Sequence, residues 1–275
     1  MKVKVNDFSL DKTLPSGQTF GWKKVGDSWV SFFDRPIKVT QKTDSSLEFS
    51  GSTENMVKDM LGLNDDIERI KSEINKDEFI DQAINYSLGL RIVKDGLWAS
   101  TLGFILSIQS NIPLITRRIR LMSEYYGEKK DISGIELSQF PKYDKIYERG
   151  YDALKKFKLG FRTKFVFSAA RYFYSHEINE GMDLEEIKKH LLSIDGVGPK
   201  VLDCITLYGL HELSSFPMDV WIQRTIAKYY YKIIGNAKSY KNKNKIMRDY
   251  FGQYSGYAQL FMFNYSRMNN STGSI

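Results

Sequence analysis

The 275-residue chain contains a single cysteine, Cys204, and only three scattered histidines, His176, His190 and His211. One thiol excludes a disulfide framework and any four-cysteine zinc or iron–sulfur site, and histidines so dispersed offer no histidine-rich metal centre. That usage fits a reducing, intracellular compartment. Long apolar runs are also missing. The opening stretch MKVKVNDFSL carries no signal-peptide core, and the greasiest segment, 97–108, is interrupted by Ser100, Thr101 and Gly103. It is too short to span a bilayer and predicts a buried helix. No period of 20–50 residues recurs. Nor does charge of one sign dominate: 40 Lys+Arg against 33 Asp+Glu leaves +7, a basic lean that makes a polyanionic partner worth testing. With 42% hydrophobic and 14% aromatic residues, wholesale disorder is excluded.

Two textures divide what is there. Up to about residue 52 the pattern alternates over 2–5, 20–25, 28–33, 37–41 and 47–50. Gly26 and Asp27 suit a hairpin turn, and Asp44, Ser45 and Ser46 suit another. From about residue 54 the period becomes helical. Met56, Met60 and Leu63 begin a stripe that Ile67, Ile70 and Ile74 continue. Helices are expected near 77–88, 96–109, 112–126, 146–157, 163–177, 183–192, 199–210, 218–233, 241–251 and 255–267. Gly127, Gly160, Gly181, Gly209 and Gly235 fall at their ends. Strands first and helices after predict an α+β fold. We expect a small N-terminal antiparallel-sheet domain over 1–88 and a helical domain over 89–275.

Basic clusters dot the helical part: Arg117, Arg118 and Arg120; Lys129 and Lys130; Lys155, Lys156 and Lys158; Lys188 and Lys189; Lys241, Lys243 and Lys245. Each alone reads as a solvated helix face, so charge does not settle the partner.

The segment 191–204 is more specific. An apolar helix ends, Gly196, Val197 and Gly198 make a turn, and a second helix starts at Pro199, a residue suited to a first helical position. The glycines allow positive φ and keep side chains away, so backbone N–H groups at the new helix N-terminus can face a phosphate. Val197 plugs the two helices together. This is a helix–hairpin–helix, which grips a DNA backbone without reading sequence. Lys200 lies at the start of the second helix, where desolvation and the helix dipole favour a neutral, nucleophilic amine. Asp219 follows Pro217 and precedes an apolar run, so it starts another helix, where the dipole favours a carboxylate. It could stabilise a developing oxocarbenium charge. The plainer reading, a phosphate-binding lysine and a capping aspartate, stays open on these residues alone.

Several stretches, in order and spread over nearly the whole chain, resemble the helix–hairpin–helix DNA glycosylases, most closely the 8-oxoguanine DNA glycosylases with an N-terminal β domain. They are LPSGQTFGW at 14–22, ILSIQSNI at 105–112, LGFR at 159–162, the hairpin through Cys204, PMDV at 217–220, and YAQ from 257 through Phe263. The resemblance implies a bifunctional glycosylase and β-lyase with Lys200 as nucleophile and Asp219 as its electrostatic and proton-transfer partner. Gly17 would offer its carbonyl to the N7–H of the lesion, a donor that undamaged guanine lacks; Cys204 and Phe263 would sandwich the flipped base, and Gln259 would read its Watson–Crick edge. Taken singly, Gly17 is an ordinary turn, Cys204 and Phe263 are core, and Gln259 is a solvated helix residue.

For DNA contact the resemblance implies Gln109 and Asn111, the hairpin residues Gly196, Val197 and Gly198, Phe161 as the aromatic wedge, and Arg162 at the orphaned base. Four positions depart from the family. Gln109 stands in place of asparagine, Leu114 in place of an arginine that reads the opposing cytosine, and Trp221 and Ser266 in place of a histidine–aspartate pair. Weaker preference for cytosine and a rewired local contact are expected. The implied partner is duplex DNA containing oxidised guanine, bound by a monomer away from membranes, inside the cell and, if the source is prokaryotic, in the cytoplasm or nucleoid. No organic cofactor or metal is implied beyond a monovalent cation that hairpin carbonyls could hold. A glycosylase for oxidised pyrimidines or alkylated purines, or a non-catalytic DNA clamp, are the alternatives.

Overall fold

The computed structural model describes residues 1–33, 36–43 and 45–271, with side chains described through 267. Alternating residues in the N-terminal part build one antiparallel sheet of β1 (Lys2–Lys4), β2 (Trp22–Val25), β3 (Ser28–Ser31), β4 (Lys38–Thr43) and β5 (Ser46–Ser50). Its strand order is β1-β5-β4-β3-β2, with Val39 opposite Phe49 and Gln41 opposite Leu47. Val3, Trp22, Val39, Leu47 and Phe49 all point to one buried side, as a period of two requires. Gly26 turns at φ +57°, as expected; Asp44, the first residue of the other expected turn, lies outside the described residues.

The helices run α1 (Leu10–Thr13), α2 (Glu54–Met60), α3 (Ile67–Ile74), α4 (Glu78–Tyr86), α5 (Leu97–Leu106) and α6 (Ile112–Tyr126). After a second ribbon, β6 (Lys129–Ile132) and β7 (Ile135–Ser138), come α7 (Tyr143–Leu154), α8 (Arg162–Ser175), α9 (Leu184–Leu192), α10 (Pro199–Leu210), α11 (Val220–Tyr229), α12 (Tyr231–Ile234), α13 (Tyr240–Phe251) and α14 (Ser255–Ser271). The α+β order stands. α5 is the buried central helix, covered on nearly every side. One apolar core joins the sheet to α1, α2 and Val93; a larger one takes in α3, α4 and the helices that follow.

Four readings need correction. The stripe from Met56 to Ile74 is two helices: the chain turns at Gly62 (φ +62°), where a Cβ would lie 2.2 Å from the Ile92 carbonyl, and Asp66 caps α3. Lys129 and Lys130 sit on β6, not on a helix. Gly209 lies inside α10, where a Cβ would meet Ser100 of α5 at 3.0 Å; it lets two helices approach, and His211 (φ +63°) ends the helix instead. α1 and the β6–β7 ribbon are too short to register in a periodicity.

Candidate active site

The hairpin forms between α9 and α10. Ile194 N–H donates to Leu191 O (3.1 Å) and Val197 N–H to Ile194 O (3.0 Å), closing the turn. Gly196 has φ +91°, and a Cβ there would strike the Phe165 ring at 2.6 Å. Gly198 is extended instead (φ −93°), with open space where a Cβ would be, so only the first glycine needs its conformational freedom. Val197 is buried as the plug. Helical bonding starts from the Gly198 carbonyl, and the first-turn N–H groups of Lys200 and Val201 have no helical acceptor. Leu192 and Val220 are exposed apolar residues.

Lys200 is the second residue of α10. Its Nζ lies 5.8 Å from the Phe104 ring centre, and its charge is felt at the Cys204 thiol one turn on. Burial pushes that thiol up to about 11 against the pull of Lys200, so Cys204 is a neutral surface at physiological pH. Asp219 is the N-cap of α11, its Oδ1 accepting from Ile222 N–H at 2.8 Å. Burial raises its pKa, while the Ile222 bond, the Lys200 charge and the Trp221 N–H work the other way. Burial therefore outweighs the helix dipole expected to hold it ionised, and the carboxylate gains affinity for a proton.

A cavity of about 1120 Å³ brings together Gly17, Gln109, Asn111, Gly196, Gly198, Lys200, Cys204, Asp219, Gln259 and Phe263. Gly17 (φ +99°) packs so tightly that a Cβ would lie 2.4 Å from Ile112 Cδ1. Gln259 is buried, not solvated, and its Oε1 accepts from the Tyr208 hydroxyl at 3.1 Å. Phe263 follows one turn later on α14, with the Arg267 guanidinium 5.4 Å from its ring centre.

Outside the cavity lining, Phe161 is 44% exposed on the loop before α8. Arg162 is not presented to solvent. It is buried, donating from Nε to Ile108 O (2.6 Å), from Nη1 to Leu159 O (3.2 Å) and from Nη2 to Gln109 O (2.6 Å). Its place is beneath the Gln109 loop, outside the cavity lining. Arg118 braces the same loop, donating to Ser110 Oγ and Lys158 O (both 3.3 Å). Gln109 itself is exposed in the left-handed region (φ +49°), a strained conformation held by these bonds. Asn111 caps α6 through Leu114 N–H (3.0 Å). Ser266 Oγ meets Thr225 Oγ1 at 2.8 Å, and Thr225 donates to the main-chain Trp221 O at 2.9 Å, so the Trp221 side chain takes no part in this contact.

Sequence reasoning missed Tyr208, Gln18 and Arg267. Tyr208 could have been found, since it sits four residues after Cys204 on the same helix face. Gln18 carries no local signal; buried, it bonds Thr13 O, Arg91 O and Val93 N, fixing the Gly17 loop. Arg267 ties α14 to that loop through Ser16 O (3.3 Å). Among the described residues no three His, Cys, Asp or Glu side chains gather into a metal-holding group, and no helix is long and apolar enough to cross a membrane.

A family model for the N-terminal domain of 8-oxoguanine DNA glycosylase matches residues 1–100. The structure superposes on that of MBOgg1 in complex with a low-affinity DNA ligand, with a TM-score of 0.88 and 31% identity over 98% of this chain and 96% of that one. The chain belongs to the 8-oxoguanine DNA glycosylase family. Within that family it is also similar to the Clostridium acetobutylicum 8-oxoguanine glycosylase/lyase bound to duplex DNA with cytosine opposite 8-oxoG: TM-score 0.86, 27% identity, 98% of each chain. The Saccharomyces cerevisiae N-glycosylase/DNA lyase is 25% identical over 277 residues, 88% of this glycosylase and 73% of the yeast protein. A 3-methyladenine DNA glycosylase from Archaeoglobus fulgidus, at 17% identity and TM-score 0.78, shares the fold.

Proposed function

We infer that this chain is a bifunctional base-excision repair enzyme that flips 8-oxoguanine out of duplex DNA, excises it, and nicks the strand. The observation that carries the reading is the pairing of Lys200 with Asp219 inside a cavity that also holds Gly17 and Gln259. Lys200 Nζ, in its free-amine form, attacks C1′ of the flipped nucleotide. The N-glycosidic bond breaks, and the base leaves with the bonding electrons and takes up a proton. Asp219 stabilises the positive charge developing on the sugar and accepts a proton from the attacking amine. Opening of the sugar ring gives a Schiff base between Nζ and C1′. Loss of a C2′ proton then expels the 3′ phosphate, and water releases the lysine.

The Gly17 carbonyl accepts the N7–H that 8-oxoguanine carries and guanine lacks, a contact contributing about 1–3 kcal/mol of discrimination. Cys204 and Phe263 sandwich the base, and Gln259 reads its edge with an amide braced by Tyr208. Gln109 fills the vacated stack beside Phe161, with Asn111 shaping that loop and Arg162 supporting it from below. Gly196, Val197 and Gly198 form the phosphate grip. The chain supplies both reacting groups, and we propose no organic cofactor. Work on genomic duplex requires the enzyme inside the cell, where the DNA is.

The test is a borohydride trap on a duplex with one 8-oxoguanine opposite cytosine, alongside Lys200→Gln and an undamaged duplex. A covalent adduct with wild type and lesion only is expected. Binding without an adduct would overturn the reading in favour of another lesion or a clamp, and a panel of damaged bases would separate those.

A further inference from the structure

The segment that delivers Asp219 belongs to no helix or strand. Residues 211–219 leave α10 and reach α11 irregularly, and Pro217 withholds an N–H from it. The segment is held at its start by Gly256 N–H on Leu213 O and at its end by α11, through Gln223 N–H on Asp219 O and Gln223 Nε2 on Met218 O; around Pro217 two residues of α13 supply the remaining ties. Asn244 Nδ2 donates to Phe216 O at 2.7 Å. The Tyr240 hydroxyl accepts from Met218 N–H at 3.2 Å. Both then converge on one oxygen: Oδ2 of Asp203 accepts from Tyr240 at 2.5 Å and from Asn244 at 3.0 Å. Asp203 lies on α10, one turn beyond Lys200. The backbone on either side of Pro217 is thus tied, through two side chains and one carboxylate, to the helix that carries the amine.

We propose that Asp203, acting through Tyr240 and Asn244, is the positioning residue that sets Asp219 against Lys200. The proposal rests on the Schiff-base reading of that pair. Asp203 touches neither sugar nor base in this scheme; it fixes the distance across which Asp219 works. A shared anchor suits the task, because a shift of α10 carries Asp203, and with it the Asp219 segment, along with Lys200. Misplacing a reacting group by about 1 Å is enough to cost on the order of a hundredfold in rate.

The same carboxylate makes the device sensitive to acid. Burial raises Asp203 to about 6, opposed by the Tyr240 bond, the charges of Arg248 on α13 and Lys188 on α9, and the Asn244 bond. On its own helix the neighbour that senses it is Cys204. Protonation removes the charge that holds both donors and loosens the segment.

The experiment is single-turnover base release and borohydride trapping by the full chain, across pH 5 to 8, for wild type, Tyr240→Phe, Asp203→Ala and Asp203→Asn. Tyr240→Phe is the conservative variant that keeps the ring and loses only the bridge. We expect the single-turnover rate to fall at least tenfold in Tyr240→Phe and Asp203→Ala, with lesion-duplex Kd within about twofold of wild type. We expect an acidic limb near pH 6 in wild type that flattens in Asp203→Asn, whose amide oxygen still accepts but no longer titrates. Wild-type rates in Tyr240→Phe and Asp203→Ala would overturn the proposal, as would an unchanged acidic limb in Asp203→Asn, which would assign that limb to Asp219. So would a rate loss matched by loss of DNA binding and melting temperature. Absence of any adduct with wild type would instead remove the Schiff-base reading itself, and this proposal with it.

Discussion

Two glycines two residues apart in the hairpin invite opposite outcomes from the same substitution. At Gly196, alanine must adopt φ +91° and place its Cβ 2.6 Å from Phe165. The backbone penalty is about 1–2 kcal/mol and the overpacking about 1–3 kcal/mol, so Gly196→Ala should destabilise by roughly 2–5 kcal/mol. At about 2–4 °C per kcal/mol for a chain of this size, the melting temperature falls by roughly 5–20 °C. At Gly198, φ is −93° and no atom lies within 4 Å of the added carbon. Gly198→Ala should leave stability within about 1 kcal/mol of wild type. Its methyl group instead occupies the space through which a phosphate reaches the first-turn N–H groups of α10. Losing one charge-assisted hydrogen bond of about 1.5–3 kcal/mol raises Kd roughly 10- to 150-fold. Thermal melts and fluorescence anisotropy on a lesion duplex, at one fixed salt concentration, measure both effects. A Gly198→Ala protein that binds normally would refute the phosphate-grip argument, and a Gly196→Ala protein that melts normally would refute the packing argument.

Tyr208→Phe strands the buried Gln259 carbonyl and should lower kcat/KM on 8-oxoguanine about 5- to 100-fold, measured by base release under subsaturating duplex. Arg162→Ala releases the Ile108 and Gln109 carbonyls and should destabilise by about 2–5 kcal/mol; chemical denaturation checks it, and Arg162→Lys should not restore the three bonds. Asp95, half-buried with Thr19 Oγ1 donating to its Oδ1 at 3.0 Å, is raised by desolvation to about 7 from 3.8. The folded state therefore binds more protons than the unfolded one between those values. Stability from this group falls as pH rises through that window and is level above it; Asp95→Asn should flatten that slope in melts taken from pH 4 to 8. Leu114→Arg should raise the preference for cytosine opposite the lesion, scored by excision from duplexes with each of the four opposing bases.

The sheet strands and the long helices were legible because their periods are long enough to register, and the boundaries of α6, α10 and α13 fell within a residue of expectation. The break at Gly62 was not, because the stripe of Met56, Met60, Leu63, Ile67, Ile70 and Ile74 keeps one apolar face through a turn that only the Ile92 carbonyl demands. Of the site, Lys200, Asp219 and the hairpin stood out in motif and order. Their supports did not: Gln18, Arg267, Tyr240 and Asn244 act through hydrogen bonds that reach residues as far as 251 positions away, and no local pattern encodes such a pairing. Arg162 was found in sequence, but its bonds to the Ile108, Leu159 and Gln109 carbonyls were not, since a one-dimensional match reports identity and not the direction of a guanidinium.

The cavity has two owners. Gly17 hangs between Leu14 and Trp22, which are rooted in the sheet core, while Lys200 and Asp219 belong to the helical core. The carbonyl that would tell the lesion from guanine is therefore carried by the sheet side and the reacting groups by the helical side, with Phe20 packed into the helical core as the join. A lineage can retune the first by drift in residues 14–20 without touching the second. Chimeras that exchange this segment between relatives should change the discrimination against guanine and keep the turnover of the host.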